Sequence, residues 1–303
     1  MRLFSHRIYL FAVSFVAAVI VAGIVMERVV AFKVSQITHP AKAENYTMAD
    51  DSGKPIQQVS FKASDGLNLT GWYVPSRNSA TIILQHGYHG NSAQMLPVGL
   101  MLARHGYGVL FFDFRGHGKS EGSLVTMGLH EIRDTDAAVT FLRQQQEADT
   151  PMIGLLGNSM GGATGILAAA ENQQIRALAV EGAFAELKDE VGIGIEVQTP
   201  LPASPFDSIF ILFAQWQTGY RFSDIAPVKR IGDISPRAVF IMQGGNDTKV
   251  LRSSGERLIA AAGKPKEYWN EPSAAHGAIF KTAPEEYEKR IISFFDKYLL
   301  GIR

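Results

Sequence analysis

Met152-Ile153-Gly154-Leu155-Leu156-Gly157-Asn158-Ser159-Met160-Gly161-Gly162-Ala163 is an apolar run that stops at a serine and resumes as a run of small residues. A solid apolar stretch of this kind reads as a strand buried on both faces, and the small residues behind it as a helix lying close against it. Ser159 stands between them in a G-x-S-x-G frame. A serine hydroxyl is a weak nucleophile at neutral pH, so it needs a sharp turn that exposes it, a base beside it, and donors for the oxyanion it creates. Gly157 and Gly161 carry no Cβ, which lets strand and helix pass closely while the turn holds Ser159 clear. The N–H of Met160, in the first turn of the helix, has no intrahelical acceptor and lies at the positive end of the helix dipole. Ser159 is therefore the candidate nucleophile and Met160 a candidate oxyanion donor.

The frame alone is not specific, because Gly118-Lys119-Ser120-Glu121-Gly122 repeats it. Ser120 follows its strand at a distance and no apolar helix opens behind it, so it reads as a polar loop residue. The same loop fails two nucleotide motifs. A P-loop ending at Gly118-Lys119-Ser120 needs glycine at position 113, which is aspartate, and Gly116, Gly118 and Gly122 are one residue too widely spaced for a dinucleotide fingerprint. Asp113 and Arg115 are expected to pair or cap within this loop.

The chain has 303 residues, 46% of them hydrophobic, enough for one large core. Its 29 basic and 29 acidic residues are spread without blocks, which argues against a nucleic-acid partner. With no cysteine, disulfides, thiolate metal sites and a cysteine nucleophile are excluded.

Ile8 to Met26 is a run of nineteen residues without a charge, flanked by Arg2 and Arg7 before and Glu27-Arg28 after. As a helix it measures about 28 Å, close to the roughly 30 Å hydrocarbon core of a bilayer. It is longer than the apolar region of a cleaved signal, about 7 to 15 residues, and Val21-Ala22-Gly23 is a poor cleavage site, so an uncleaved single-pass anchor over residues 1–30 is expected. Arg2 and Arg7 face Arg28 and Lys33 across it, a slight lean toward a cytoplasmic N-terminus and an extracytoplasmic domain. Residues 31–54 lose the apolar period and read as a stalk, and the folded domain covers 55–303.

Within that domain, alternating apolar residues on either side of Ser64-Asp65-Gly66 predict a hairpin. Thr81 to Leu84 predicts a buried strand that runs into Gln85-His86-Gly87-Tyr88-His89-Gly90-Asn91 and a helix from about Ala93 to Arg104. That loop lies at the same sheet edge as Ser159, which makes the N–H of Tyr88 the second candidate oxyanion donor. His86 reads as a residue that fixes the turn. Strand Val109 to Phe112 and a helix over Leu129 to Leu142 lead back to the Ser159 strand as a parallel βαβ crossover. After the Ser159 helix, Gly162 to Ala170, and strand Ala177 to Glu181, the rhythm breaks. Phe206, Ile209, Phe210, Phe213 and Trp216 fall on one helical face that starts at Ser204-Pro205-Phe206-Asp207, an N-cap signature. A cap over about 192–222 is expected above the strand ends, the alternative being an ordinary core helix. Val239 to Met242 ends at Gly244-Gly245-Asn246-Asp247, and strand Lys266 to Trp269 leads to Ala274-Ala275-His276-Gly277. His276 is the only one of the eight histidines beyond position 130, so an order of serine, acid, histidine leaves it as the base. Asp247 is the expected orienting acid, with Glu181 as the alternative. Thr282-Ala283-Pro284-Glu285 is expected to cap a last helix ending near Leu299. The fold class is α/β with a mostly parallel, doubly wound sheet.

The HG loop, the GNSMGG turn, GGND and AHG in this order resemble the α/β-hydrolase superfamily from about Pro55 to the end. Together with Asp113-Phe114-Arg115-Gly116-His117-Gly118-Lys119-Ser120 they look like membrane-anchored bacterial members of serine-aminopeptidase-like or prolyl-oligopeptidase-like type. Leu251 stands where relatives often carry proline. The resemblance implies Ser159, Asp247 and His276 as a catalytic triad, no cofactor and no metal. It implies an acyl-enzyme route on a small-molecule or lipid-like acyl substrate, with a peptidase or a non-catalytic binding module as alternatives. A dehalogenase or epoxide hydrolase would need aspartate at position 159.

Overall fold

The computed structural model of the chain describes residues 2–145, 152–198 and 201–302. It begins with one unbroken helix, α1 (Arg2–Thr38), whose residues Tyr9 to Thr38 are long and apolar enough to cross a membrane. No proline or glycine cluster interrupts the helix after Met26, so residues 31–38, expected as stalk, form its last turns. Residues 39–56 then cross the domain surface with a single bridge between Ala49 and Pro55.

The predicted hairpin follows as β1 (Gln57–Lys62) and β2 (Asn68–Val74), antiparallel with Phe61 opposite Leu69. β3 (Ala80–Gln85) leads through a 3-10 turn at Ser92–Met95 into α2 (Leu96–Arg104). β4 (Gly108–Phe112), α3 (Glu131–Gln145), β5 (Met152–Asn158), α4 (Met160–Glu171) and β6 (Ile175–Glu181) continue the alternation. Two cap helices, α5 (Leu187–Gln198) and α6 (Ala203–Thr218), and the short α7 (Pro227–Arg230) separate β6 from β7 (Ala238–Gly244). The chain closes with α8 (Arg252–Ala261), β8 (Lys266–Glu271), α9 (Ile279–Thr282) and α10 (Pro284–Phe295).

The described residues form an eight-stranded sheet in the order β1-β2-β4-β3-β5-β6-β7-β8, antiparallel at β1-β2-β4 and parallel from β4 onward. The inner strands are apolar throughout because both faces are covered. Alternate residues enter opposite cores: Ile83, Leu155 and Val180 meet Leu142 and Ile166, whereas Ile82, Leu84 and Leu156 meet Leu102 and Phe295. Each such fully buried side chain contributes about 1.5–3 kcal/mol. Parallel pairing places the C-terminal ends of β3, β5, β6, β7 and β8 at one edge, where every loop singled out in the sequence emerges.

Three local expectations change. Of the expected pairing or capping within the Asp113–Ser120 loop, Asp113 does cap, accepting from the N–H of Lys119 and also of Ser92, but Arg115 does not pair with it and forks onto Asp134 and Asp65, tying the hairpin turn to α3. Thr282 spends its hydroxyl on the carbonyl of Ala278 and so does not cap α10. The aromatic stripe of α6 is divided: Phe210 and Phe213 pack with Val30 and Val34 of α1 around Ala214, whereas Trp216 is 73% exposed. Its local period marks an apolar face but not which neighbour covers it. Ser204 keeps an extended backbone inside α6, so the regular helix starts at Pro205, where the cap signature put it.

Candidate active site

β5 delivers Ser159 to the sheet edge and α4 begins immediately behind it. Ser159 has φ +53° and ψ −119°, a left-handed conformation that a side chain bears only where the surroundings enforce it. Close approach supplies the enforcement: a Cβ at Gly161 would lie 2.5 Å from the carbonyl oxygen of Gln85 and 2.6 Å from that of His86, and one at Gly157 would meet the backbone of Gly161. The Ser159 N–H donates to the carbonyl of Glu181 at 2.8 Å, pinning the turn to β6.

Three loops bring the sequence-selected side chains together. Ser159 Oγ donates to His276 Nε2 at 2.8 Å, and His276 Nδ1–H donates to Asp247 Oδ2 at 2.7 Å. The Asp247 carboxylate is fully buried. Its Oδ2 also accepts from Gln243 Nε2, and its Oδ1 accepts from the N–H groups of Lys249 and Val250. Burial alone would push this carboxyl up, but the His276 hydrogen bond and the two backbone donors outweigh it and hold Asp247 below its usual range. A carboxylate kept ionised against Nδ1–H leaves the Nε2 lone pair facing the serine hydroxyl.

Glu181, the alternative acid, has another role. Its Oε1 accepts from the N–H of Ile279 at 2.9 Å, which ties the loop carrying His276 to β6. Burial pushes its carboxyl up to about 7. Gly182, next in the chain, packs beneath the imidazole, where a Cβ would lie 3.2 Å from His276 Nδ1.

Tyr88 sits in the loop after β3, which abuts the serine turn: a Cβ on Gly87 would lie 3.3 Å from that of Ser159. Among the described residues the N–H groups of Tyr88 and Met160 donate to no protein acceptor. His86 Nδ1–H donates to the carbonyl of Gly87 and its Nε2 accepts from the N–H of Phe114, so the ring fixes the turn. Burial, then the neighbouring His117, holds it down to about 4, neutral at ordinary pH. Ser120 Oγ donates to the carbonyl of Asp113 and accepts from the N–H of Thr70, a buried structural hydroxyl as expected of the second G-x-S-x-G frame.

A cavity of about 430 Å³ adjoins the site between α1 and the cap, a size suited to a small-molecule ligand. Val29 and Val34 of α1, Val191 of α5, Phe206 and Phe210 of α6, and Tyr88 are on its wall, with Lys33, His89 and Glu190 as the polar members. Glu190 is pushed up to about 8 by burial and then by Asp189 and Asp247, and its Oε1 has no hydrogen-bond partner among the described residues.

The family described as serine aminopeptidase, S33, matches residues 76–216. YfhR of Salmonella typhi is 31% identical over 229 residues, covering 73% of this chain and 74% of that protein. An esterase of Pyrococcus furiosus superposes with a TM-score of 0.72 at 27% identity, over 87% of this chain and 98% of its own. The chain belongs to the α/β-hydrolase family. It is a serine hydrolase by that membership, and its similarity to YqkD of Bacillus subtilis, 26% over 291 residues, takes in 93% of the chain and 95% of YqkD. Gln243 is the member of this hydrolase's site that sequence reasoning missed, and Glu181, considered only as the alternative acid, holds the Ile279 N–H instead. Gln243 precedes the GGND turn and Glu181 ends a strand, which signals the edge but not what either side chain holds.

Proposed function

We propose that the protein hydrolyses carboxylic ester-type acyl bonds, with Ser159 as nucleophile, His276 as general base and acid, Asp247 as orienting acid, and the N–H groups of Tyr88 and Met160 as the oxyanion hole. The observation that carries this reading is the hydrogen-bonded chain from Ser159 through His276 to Asp247 at 2.8 and 2.7 Å. Ser159 Oγ bonds to the carbonyl carbon as its proton passes to His276 Nε2, and the carbonyl electron pair moves onto oxygen against the two N–H donors. Collapse breaks the bond to the leaving alkoxide, which takes the proton from Nε2. Water then attacks the acyl-serine with His276 again as base, releasing the acid and restoring the hydroxyl.

The test is turnover of p-nitrophenyl esters and labelling by a fluorophosphonate, in the wild type and in Ser159→Ala. Loss of both in the variant is expected. Ester turnover that survives the substitution removes Ser159 from the mechanism. A second reading, release of an amino-terminal residue from peptides, is favoured by the serine aminopeptidase description of the matching family. An aminoacyl amide of 7-amino-4-methylcoumarin separates the two, since the ester reading expects turnover of acyl esters to exceed that of the amide.

The domain layout proposed here is an anchor over 1–30, a linking segment over 31–54 and the hydrolase domain over 55–303, with the cap at about 192–222. The helix is retained, spans the membrane once, and leaves the hydrolase domain outside the cytoplasm. Retention is supported by the packing of Val30 and Val34 against Ala214 of the cap. The chain lacks cysteine, so Ser223→Cys offers a single thiol on an exposed side. Labelling of intact cells by a membrane-impermeant maleimide is expected, and labelling only after lysis reverses the orientation.

A further inference from the structure

The anchor helix has two halves with different surroundings. From Tyr9 to Val25 its large apolar side chains are exposed, as those of a lipid-facing helix are. From Met26 onward one row turns inward at a spacing of four, Met26, Val30 and Val34, and packs with the cap; Val30 is 1% exposed and Val34 8%. The adjacent row, Val29, Lys33 and Ile37, lines the cavity beside the active site. That cavity therefore starts directly where the lipid-facing run stops.

The cap marks the same level. Gln217 Nε2 donates to the carbonyl of Glu27, which puts the C-terminal end of α6 beside the first residues below the exposed run. Trp216 and Leu212, at 73% and 66% exposure, stand on this helix with no protein over them. Tryptophan at the junction of an apolar span and a polar domain is the pattern of a side chain seated in the headgroup layer. At its inner side the cavity reaches Tyr88, whose N–H is a proposed oxyanion donor, and Glu190, whose carboxyl is close enough to Asp247 to sense its charge.

Resting on the ester-hydrolase reading above, we infer that this cavity holds the acyl chain of a lipid ester taken directly from the bilayer, with the anchor helix as one wall of the substrate site. An apolar chain entering between α1 and the cap leaves hydrocarbon for an apolar channel and avoids water, and its ester group arrives beside Tyr88 and Ser159. The helix is then part of the binding surface as well as the tether.

The full-length protein in phosphatidylcholine vesicles provides the test, with p-nitrophenyl laurate against p-nitrophenyl acetate. Gly194→Phe on α5 and Val29→Phe on the cavity-lining row of α1 each add a ring to the cavity wall. The laurate-to-acetate ratio of kcat/KM is expected to fall at least tenfold in both. A ratio held within twofold in either overturns the inference. The source of the chain is read with a fluorogenic two-chain glycerolipid ester placed either in the vesicles that carry the protein or in separate ones. Faster turnover in the shared bilayer is expected, and equal rates overturn delivery from the membrane. Failure of the underlying reading looks different: the wild type then turns over neither p-nitrophenyl ester, or Ser159→Ala turns over both.

Discussion

Tyr88 donates its phenolic hydroxyl to the carbonyl of Ile37 at 2.8 Å, so the residue whose N–H is proposed as an oxyanion donor is tied by its side chain to the last turn of the N-terminal helix. The following segment makes further ties. The N–H of Val125 donates to the carbonyl of Thr38, Asn91 Nδ2 to that of Ala43, and Tyr46 hydrogen-bonds to Asp113. The loops around the site thus rest on the chain between residues 37 and 46.

Tyr88→Phe keeps the backbone donor and removes the hydroxyl's tie to the carbonyls of Ile37 and, more weakly, Gln36. The lost hydrogen bond costs about 0.5–1.5 kcal/mol. A fall in melting temperature of about 2–4 °C per kcal/mol is expected, with a several-fold lower kcat on esters. An unchanged kcat would show that the loop holds its position without the helix.

Asp247→Asn preserves shape but offers an amide where His276 needs a carboxylate. A loss of about ten-thousand-fold in kcat is expected, the size of effect produced when an orienting acid becomes an amide. Glu181→Gln retains an acceptor for the Ile279 N–H and should lose far less. The ranking of the two by steady-state kinetics decides between the acids, and a larger loss at Glu181 would overturn the assignment of Asp247.

Buried carboxyls give stability a pH dependence of defined sign. Burial raises Glu181 to about 7 and Glu190 to about 8, from 4.5 for the free side chain. Below about pH 4.5 both states are protonated and the shift costs nothing. As pH rises, the unfolded chain releases these protons first, so their contribution falls until the folded pKa values are passed. Glu190→Gln should therefore gain melting temperature over the wild type between about pH 5 and pH 8, with the gain level above that. A difference that shrinks over this interval would contradict the raised pKa of Glu190.

Gly161→Ala tests the tight turn. Alanine in a helix normally stabilises by about 1 kcal/mol relative to glycine. Here its Cβ would sit 2.5 Å from the Gln85 carbonyl oxygen, against backbone that cannot move aside. A net loss of about 1–3 kcal/mol is expected, read from urea unfolding. A stabilised variant would show that strand and helix are not in contact at this point.

Much of this was written locally. The apolar run ending at Ser159, the order of the GGND and AHG turns and the lone histidine beyond position 130 determined the α/β sheet, its edge and the residues to watch there, because strand burial and turn chemistry depend on neighbours in the chain. The family resemblance completed the set. Side-chain partners are non-local and were not legible in the same way: the fork of Arg115 to Asp65 and Asp134, or Gln243 to Asp247, depends on which strands and helices lie side by side.

The sequence by itself determined a long apolar helix, a parallel sheet and an amphipathic cap, each from its own period. Only the tertiary structure decided that the N-terminal helix runs on to Thr38, packs Val30 and Val34 against the cap and walls a cavity beside the serine. The reason is that a hydrophobic stripe specifies that it must be covered, while the choice of cover comes from elements far apart in the chain that meet only once it has folded.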